Sequence, residues 1–235
     1  MKNNEIFVKD LGILSYDDSW EHQKLIFDNI ISQKVKNRTS KKKIKTENYL
    51  LIVEHKPVYT IGKSGDISNL LLNQNQLKIK NIDFKKINRG GDITFHGLGQ
   101  IVGYPIFDLD NFFTDIGQFL RTLEEVIIST ISFFGLKGYR IDGETGVWVK
   151  DKSNAPKKIC AFGIKASRWV TMHGFALNVN TDLNYFDYIV PCGISDKGVT
   201  SMEDILNQKI TIEIVKEKLY ENFSKYFDAK LINLI

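Results

Sequence analysis

RGGDITFHGLGQIVGYPIFDL, residues 89–109, sets Gly90, Gly91, Gly97 and Gly99 around Arg89 and His96 and then runs directly into an apolar stretch. Glycine carries no Cβ, so the backbone here can come close to a ligand. Exposed N–H groups beside an arginine form a cradle for a carbonyl or oxygen-rich group, and a strand that follows at once fixes the cradle on a rigid element. The same residues read equally well as two tight turns in which His96 bonds a neighbouring carbonyl. The spacing matches neither the GxxxxGK[ST] phosphate loop nor the GxGxxG dinucleotide turn, so nucleotide use has no motif behind it.

Upstream of this segment, NYLLIVEHKPVYTIG (48–62) is β-rich and broken by Pro57, which predicts a strand, a turn and a second extended piece. Before it, IFVKDLGIL (6–14) reads as a strand that leads into a helix starting near Asp17 or Asp18, with Trp20, Leu25, Phe27 and Ile31 turned to the core. Residues 35–48 are polar and read as a loop. Downstream, apolar residues from Phe112 and Phe113 through Ile116, Phe119, Leu123, Val126, Ile127 and Ile131 to Phe134 repeat near 3.6 and stop at Gly135, which predicts a core helix after Asp110 and Asn111. GVWVK, KKICAFGIKAS and HGFALNVN read as strands between polar turns, and residues 210–227 as an outer amphipathic helix. With no repeat or linker, the expectation is one α+β domain, residues 1–235, rather than a regular βαβ alternation.

At 235 residues with a hydrophobic fraction of 43%, the chain is long enough for one sizeable core. The longest apolar run, residues 126–134, is interrupted by Ser129, Thr130 and Ser132, so neither a signal peptide nor a membrane span is expected. Two distant cysteines predict neither a disulfide framework nor a zinc site and fit a reducing cytoplasm. His22, His55, His96 and His173 fall in no metal-binding spacing. The formal charge of +4 owes much to Lys41, Lys42 and Lys43 with Arg38 and Lys45. That run reads first as a solvated loop, although a basic surface also speeds encounter with acidic proteins. No aromatic-interleaved basic stretch points to nucleic acid.

Pro191, Cys192 and Gly193 place a thiol between turn formers after the apolar pair Ile189 and Val190, a position where a nucleophile is useful. A free thiol titrates near about 8.5 and needs an adjacent cation to become mostly thiolate at neutral pH. Cys160, within the strand-like KICAFGI, reads as an inert buried residue. Lys157, Lys158 and Lys165 are three candidate cations that spacing alone does not separate. His173 precedes Gly174 and a small-residue strand against which a substrate chain can lie, or which simply packs closely.

The glycine-rich segment, KKICAFGIK (157–165), HGFALNVN (173–180) and PCGI (191–194), in this order and at these separations, resemble the lipoate-biosynthesis octanoyltransferases, also called lipoyl(octanoyl) transferases. The resemblance runs from HKPVYTIGK (55–63) to GVTSMEDI (198–205), with the basic loop near Lys41 matched least. It implies a mixed β-sheet flanked by helices, like that of biotin and lipoate protein ligases. It also implies an acyltransferase that carries an octanoyl group from octanoyl-acyl carrier protein, through a cysteine thioester, to the lipoyl-accepting lysine of lipoate-dependent proteins. This is the first step of endogenous protein lipoylation.

By the same resemblance Cys192 matches the nucleophile and Lys158 the lysine that lowers its pKa. The implied substrate-contacting positions are Arg89, Gly90, Gly91 and Asp92 with Ile93, Thr94, Phe95 and His96. Ala161, Phe162 and Gly163, and Gly174, Phe175 and Ala176, complete the set. No cofactor and no metal are implied. The implied acceptors are the lipoyl domains of 2-oxoacid dehydrogenase acyltransferase subunits and the glycine-cleavage H protein, and the chain is expected to act as a cytoplasmic monomer. One position departs from the family pattern: Leu98 stands where HGPGQ is usual, so the turn loses a proline but no reactive group. Two rivals remain, an ATP-dependent lipoate or biotin ligase of the same fold and a non-catalytic adaptor for the carrier or the lipoyl domain.

Overall fold

The computed structural model describes residues 2–190 and 198–234. Its main sheet begins with β1 (Glu5–Leu14), β2 (Asn48–His55) and β6 (Gln100–Ile106). It continues through the hairpin of β9 (Pro156–Ser167) and β10 (Val170–Asn178), and then β8 (Glu144–Lys150) and β7 (Tyr139–Ile141). The spatial order is β12-β1-β2-β6-β10-β9-β8-β7, where β12 (Lys230–Asn233) lies parallel to β1, and β11 (Gly198–Val199) pairs parallel with β9. A smaller sheet places β3 (Val58–Ile61) between β4 (Asp83–Lys86) and β5 (Ile93–His96).

Period-two alternation gives the main sheet two apolar faces. Leu51, Val53, Val102 and Met172 point to one face and pack against Phe27 and Ile30 of helix α1 (Tyr16–Thr39). Leu50, Ile52, Ile101 and Leu177 point to the other, where they meet α3 (Ile116–Ser132) and α5 (Ile212–Phe227) through Phe119, Leu123, Ile127, Phe223 and Phe227. Burying each of these large side chains contributes about 1.5–3 kcal/mol, so the two-sided core supplies most of what holds the sheet in register. Two short helices, α2 (Gln74–Ile79) and α4 (Met202–Leu206), and the 3₁₀ segments Ile67–Asn69, Leu109–Asn111 and Leu183–Tyr188 complete the elements among the described residues. The mixed sheet with helices on both faces is the architecture expected.

Three expectations need correction. Residues 35–39 are not loop: α1 continues to Thr39 because Lys36 and Arg38 sit favourably at its C-terminal end and Lys34 is ion-paired with Asp108 and Asp110. Leu25 is not in the core but 64% exposed. The buried stripe of α1 runs Tyr16, Ser19, Gln23, Phe27 and Ile30, and Leu25 stands about 200° round the helix from Gln23. Helix α3 starts at Ile116, capped by Asp115, so Phe112 and Phe113 precede it and pack onto Phe227 from a turn. Among the described residues, no helix is long and apolar enough to cross a membrane.

Candidate active site

The antiparallel hairpin of β9 and β10 brings two of the three expected segments face to face. Gly163 is the register partner of Gly174, Phe162 of Phe175, and Ala161 of Ala176. The third segment drops onto this pair: Gly90 donates its N–H to Ile164 O at 2.9 Å, and a Cβ built on Gly163 would sit 2.8 Å from both Arg89 Cδ and Gly90 O. Only a residue without a side chain permits that approach.

Between the glycine-rich loop, the hairpin and the start of α1 lies a narrow cleft of about 50 Å³. Arg89, Gly91, Asp92, Ile93, Thr94 and His96 line it, as do all six of Ala161, Phe162, Gly163, Gly174, Phe175 and Ala176. Two expected positions do not line it. Gly90 turns to Ile164, and Phe95 packs behind the cleft, stacked on Tyr185 at 4.5 Å and tilted against Tyr59. Alternation along β5 sends Phe95 to the opposite side from Thr94 and His96, into the cluster it shares with Ile93, which borders the cleft from the first position of the strand.

Arg89 is buried and donates to Thr60 O at 2.8 Å, Thr60 Oγ1 at 3.1 Å, Asp92 O at 2.7 Å and Gly90 O at 2.9 Å, so its guanidinium ties the loop to β3 at the cleft wall. Asp92 accepts from Ile93 N–H and from Asn69 Nδ2 at 2.6 Å. His96 bonds Gln100 Oε1 through Nδ1 at 2.8 Å, and burial, with the neighbouring His55 next, holds its pKa down at about 3. The turn that carries Leu98 in place of proline is pinned at Gly99, whose N–H donates to Glu54 Oε2 at 2.8 Å and whose carbonyl accepts from Asn180 N–H at 2.8 Å.

Tyr16, Ile87, Val102, Tyr104 and His173 also line the cleft and lay outside the expected set. His173 had a sequence signal, the glycine after it. Its backbone is left-handed at φ +63°, held where Gln23 Oε1 accepts its N–H, and burial followed by Arg89 lowers its pKa to about 3. Tyr16 had none, because a tyrosine one residue past a helix cap looks like any core aromatic.

Of the three candidate cations, Lys157 pairs with Asp151 at 3.9 Å and Lys165 lies over the Phe27 ring at 5.1 Å, on the α1 face. Lys158 lies over the indole of Trp148 at 4.6 Å, about 10 Å along β9 from the cleft residue Ala161 at the usual rise per residue. Cys192 lies outside the described residues. The described residues on either side of that stretch have clear anchors. Val190 N–H donates to the carbonyl of Asn69, the residue that bonds Asp92, while Val199 is the strand partner of Lys158. Cys160 is fully buried and its thiol is pushed well above the ordinary range by that burial, in keeping with an inert residue. No group of three or more His, Cys, Asp and Glu gathers in a metal-holding arrangement among the described residues.

Residues 15–224 match the family described as the lipoyl protein ligase A/B catalytic domain. Over 230 residues, 97% of this chain and 98% of the relative, the sequence is 57% identical to a protein of Christiangramia forsetii named octanoyltransferase. A second protein of that name, from Flavobacterium johnsoniae, is 54% identical over 231 residues, 98% of this chain and all of the relative. Among solved structures, one from the archaeal lipoylation system of Thermoplasma acidophilum, a bi-partite lipoate protein ligase and its E2 lipoyl domain, superposes with a TM-score of 0.67 at 17% identity. It covers 100% of this chain and 88% of its own. At that identity the likeness concerns the fold, and it meets the expectation of a lipoate-ligase architecture. By the extent of the family match and the identity to full-length relatives, this chain belongs to the lipoyl protein ligase A/B catalytic domain family.

Proposed function

We propose that the protein, acting as a single catalytic domain, transfers an octanoyl group from octanoyl-acyl carrier protein to the lipoyl-accepting lysine of lipoate-dependent proteins, by way of a thioester on Cys192. The observation that carries this reading is the convergence of three separated segments, 89–96, 161–163 and 174–176, around one cleft on the β9 strand that also bears Lys158. The octanoyltransferase name of relatives above 50% identity supports the same chemistry.

In the first half-reaction the Cys192 thiolate, held by the Lys158 ammonium, attacks the carbonyl carbon of the carrier thioester. A sulfur–carbon bond forms to Cys192, the carrier sulfur departs, and it takes the proton of Lys158. The amine so freed is then the base that removes a proton from the incoming acceptor lysine as its nitrogen attacks, and Cys192 leaves as thiolate. Exchange between thioesters is nearly balanced and amide formation runs downhill, so the cycle requires no activation of a free acid. An eight-carbon chain in an apolar cleft gains about 0.8 kcal/mol per methylene, or roughly 5 kcal/mol, which holds the intermediate away from water.

The test is the Cys192→Ser variant assayed with octanoyl-carrier and a lipoyl domain in the absence of ATP. The expected result is loss of transfer with an unchanged circular dichroism spectrum, and, in the parent protein, a mass gain of one octanoyl group on Cys192. Full transfer by the serine variant would remove the thioester and favour an adenylate-forming ligase; tight binding of carrier with no adduct on the parent would favour an adaptor.

A further inference from the structure

We propose that Glu124, on helix α3, is the positioning residue for Lys158. Glu124 is fully buried, yet it is a carboxylate. Its Oε2 accepts from Arg121 Nη1 at 2.6 Å and from Arg140 Nε at 2.9 Å, while Arg140 also reaches Glu125 at 2.7 Å. Such a pair contributes little net stability compared with apolar residues of the same volume, so stability alone gives no reason for an acid at this place. The second oxygen supplies one: Oε1 accepts the backbone N–H of Gly146 at 3.1 Å, in the interior.

Gly146 is where this bond has its consequence. Its φ is +148°, a value that residues with a side chain rarely adopt. A Cβ added there would lie 3.0 Å from Lys158 Cε and 3.4 Å from Lys158 Cδ. The alkyl stem of Lys158 thus lies in the space that the missing side chain leaves open. Directly beyond Gly146 the pairing of β8 with β9 shifts register between Val147 and Trp148, a bulge that sets Trp148 opposite Lys158 and lays the ammonium on the indole. The chain of contacts therefore runs from two arginines to Glu124, to the Gly146 N–H, to the slot, to the stem of Lys158.

This inference rests on the reading of Lys158 as the cation beside the nucleophile, and the experiment separates the two. In a Cys160→Ala background, leaving Cys192 the sole thiol, the rate of alkylation by iodoacetamide is followed from pH 5 to 9 by intact mass. Glu124→Gln and Lys158→Ala are each expected to slow alkylation at pH 6.5 by about tenfold or more, the equivalent of at least one pKa unit, and to move the profile toward that of an ordinary thiol. The double variant is expected to lose no more than either single one, because both act through the same contact. Gly146→Ala, which leaves Glu124 in place, fills the slot and strains the backbone at φ +148°, is expected to give the same profile, and Glu124→Asp, which keeps the charge but draws it back from the Gly146 N–H, decides the matter if Glu124→Gln fails to fold. A parental profile in Glu124→Gln or in Gly146→Ala, with Lys158→Ala shifted, overturns the inference and spares the reading of Lys158. Additive losses in the double variant also overturn it. A parental profile in Lys158→Ala overturns the reading itself.

Discussion

Three buried histidines stand in and behind the cleft wall, and each is held neutral. Burial is the main cause in every case, and it sets His55 at about 4 and His96 and His173 at about 3. In the unfolded chain a histidine titrates near about 6.5, so below that pH the unfolded state takes up protons that the folded state refuses. Their contribution is complete above about pH 6.5 and is lost as pH falls toward the folded values, by up to about 1.4 kcal/mol per pH unit for each histidine. Urea midpoints measured from pH 7 down to 4.5 are expected to fall, and the slope is expected to be shallower in His173→Gln, whatever its stability at pH 7. An unchanged slope in that variant would show that His173 is not held neutral. Most residues of the cleft were reached through the resemblance of three segments to one family, because glycines with an arginine and a histidine in one run left a ligand cradle and a pair of tight turns equally open. Phe95 was expected in the cleft and packs behind it, since a motif names consecutive residues while a strand sends neighbours to opposite faces.

Helix α1 presents Tyr16 to the cleft, and its start is fixed by one hydroxyl. Ser15 accepts the N–H of Asp18 at 3.2 Å and donates back to the Asp18 carboxylate at 2.6 Å. Ser15→Ala is expected to cost about 1 kcal/mol, read as a lower urea midpoint at constant m-value. Because Tyr16 is the next residue, the same variant is expected to raise KM for the acyl donor more than it lowers kcat; unchanged stability would mean that the cap carries no weight here. At this scale the sequence announced the strands of the hairpin but not how they align. Their register is set by the turn at Arg168 and Trp169, both left-handed at φ +52° and +66°. Tight hairpins of this kind usually carry Asn-Gly, so an Arg-Trp pair gives no signal of where the chain reverses, or that Gly163 comes to face Gly174. The last strand, β12, was missed because four residues after a helix show too little periodicity to register.

Across the whole molecule the formal charge is +4, and Lys41, Lys42 and Lys43 project into solvent beyond the end of α1. If the donor is an acidic carrier protein, its encounter with this surface is screened within about 10 Å at 0.1 M salt. Raising sodium chloride from 50 to 300 mM is expected to increase KM for the carrier several-fold and leave kcat nearly constant, whereas a KM indifferent to salt would end the case for steering and leave the chemistry untouched. The pairing of β1 with β12 reaches further than its four residue pairs suggest. Glu5 meets Lys230 in that ladder, so one flank of β1 stays open until more than two hundred further residues have left the ribosome. A nascent chain therefore carries the outer flank of β1 bare across that interval, and β12, once paired, covers Glu5–Val8 with a four-residue edge that opens on a lysine, a poorer template for another chain.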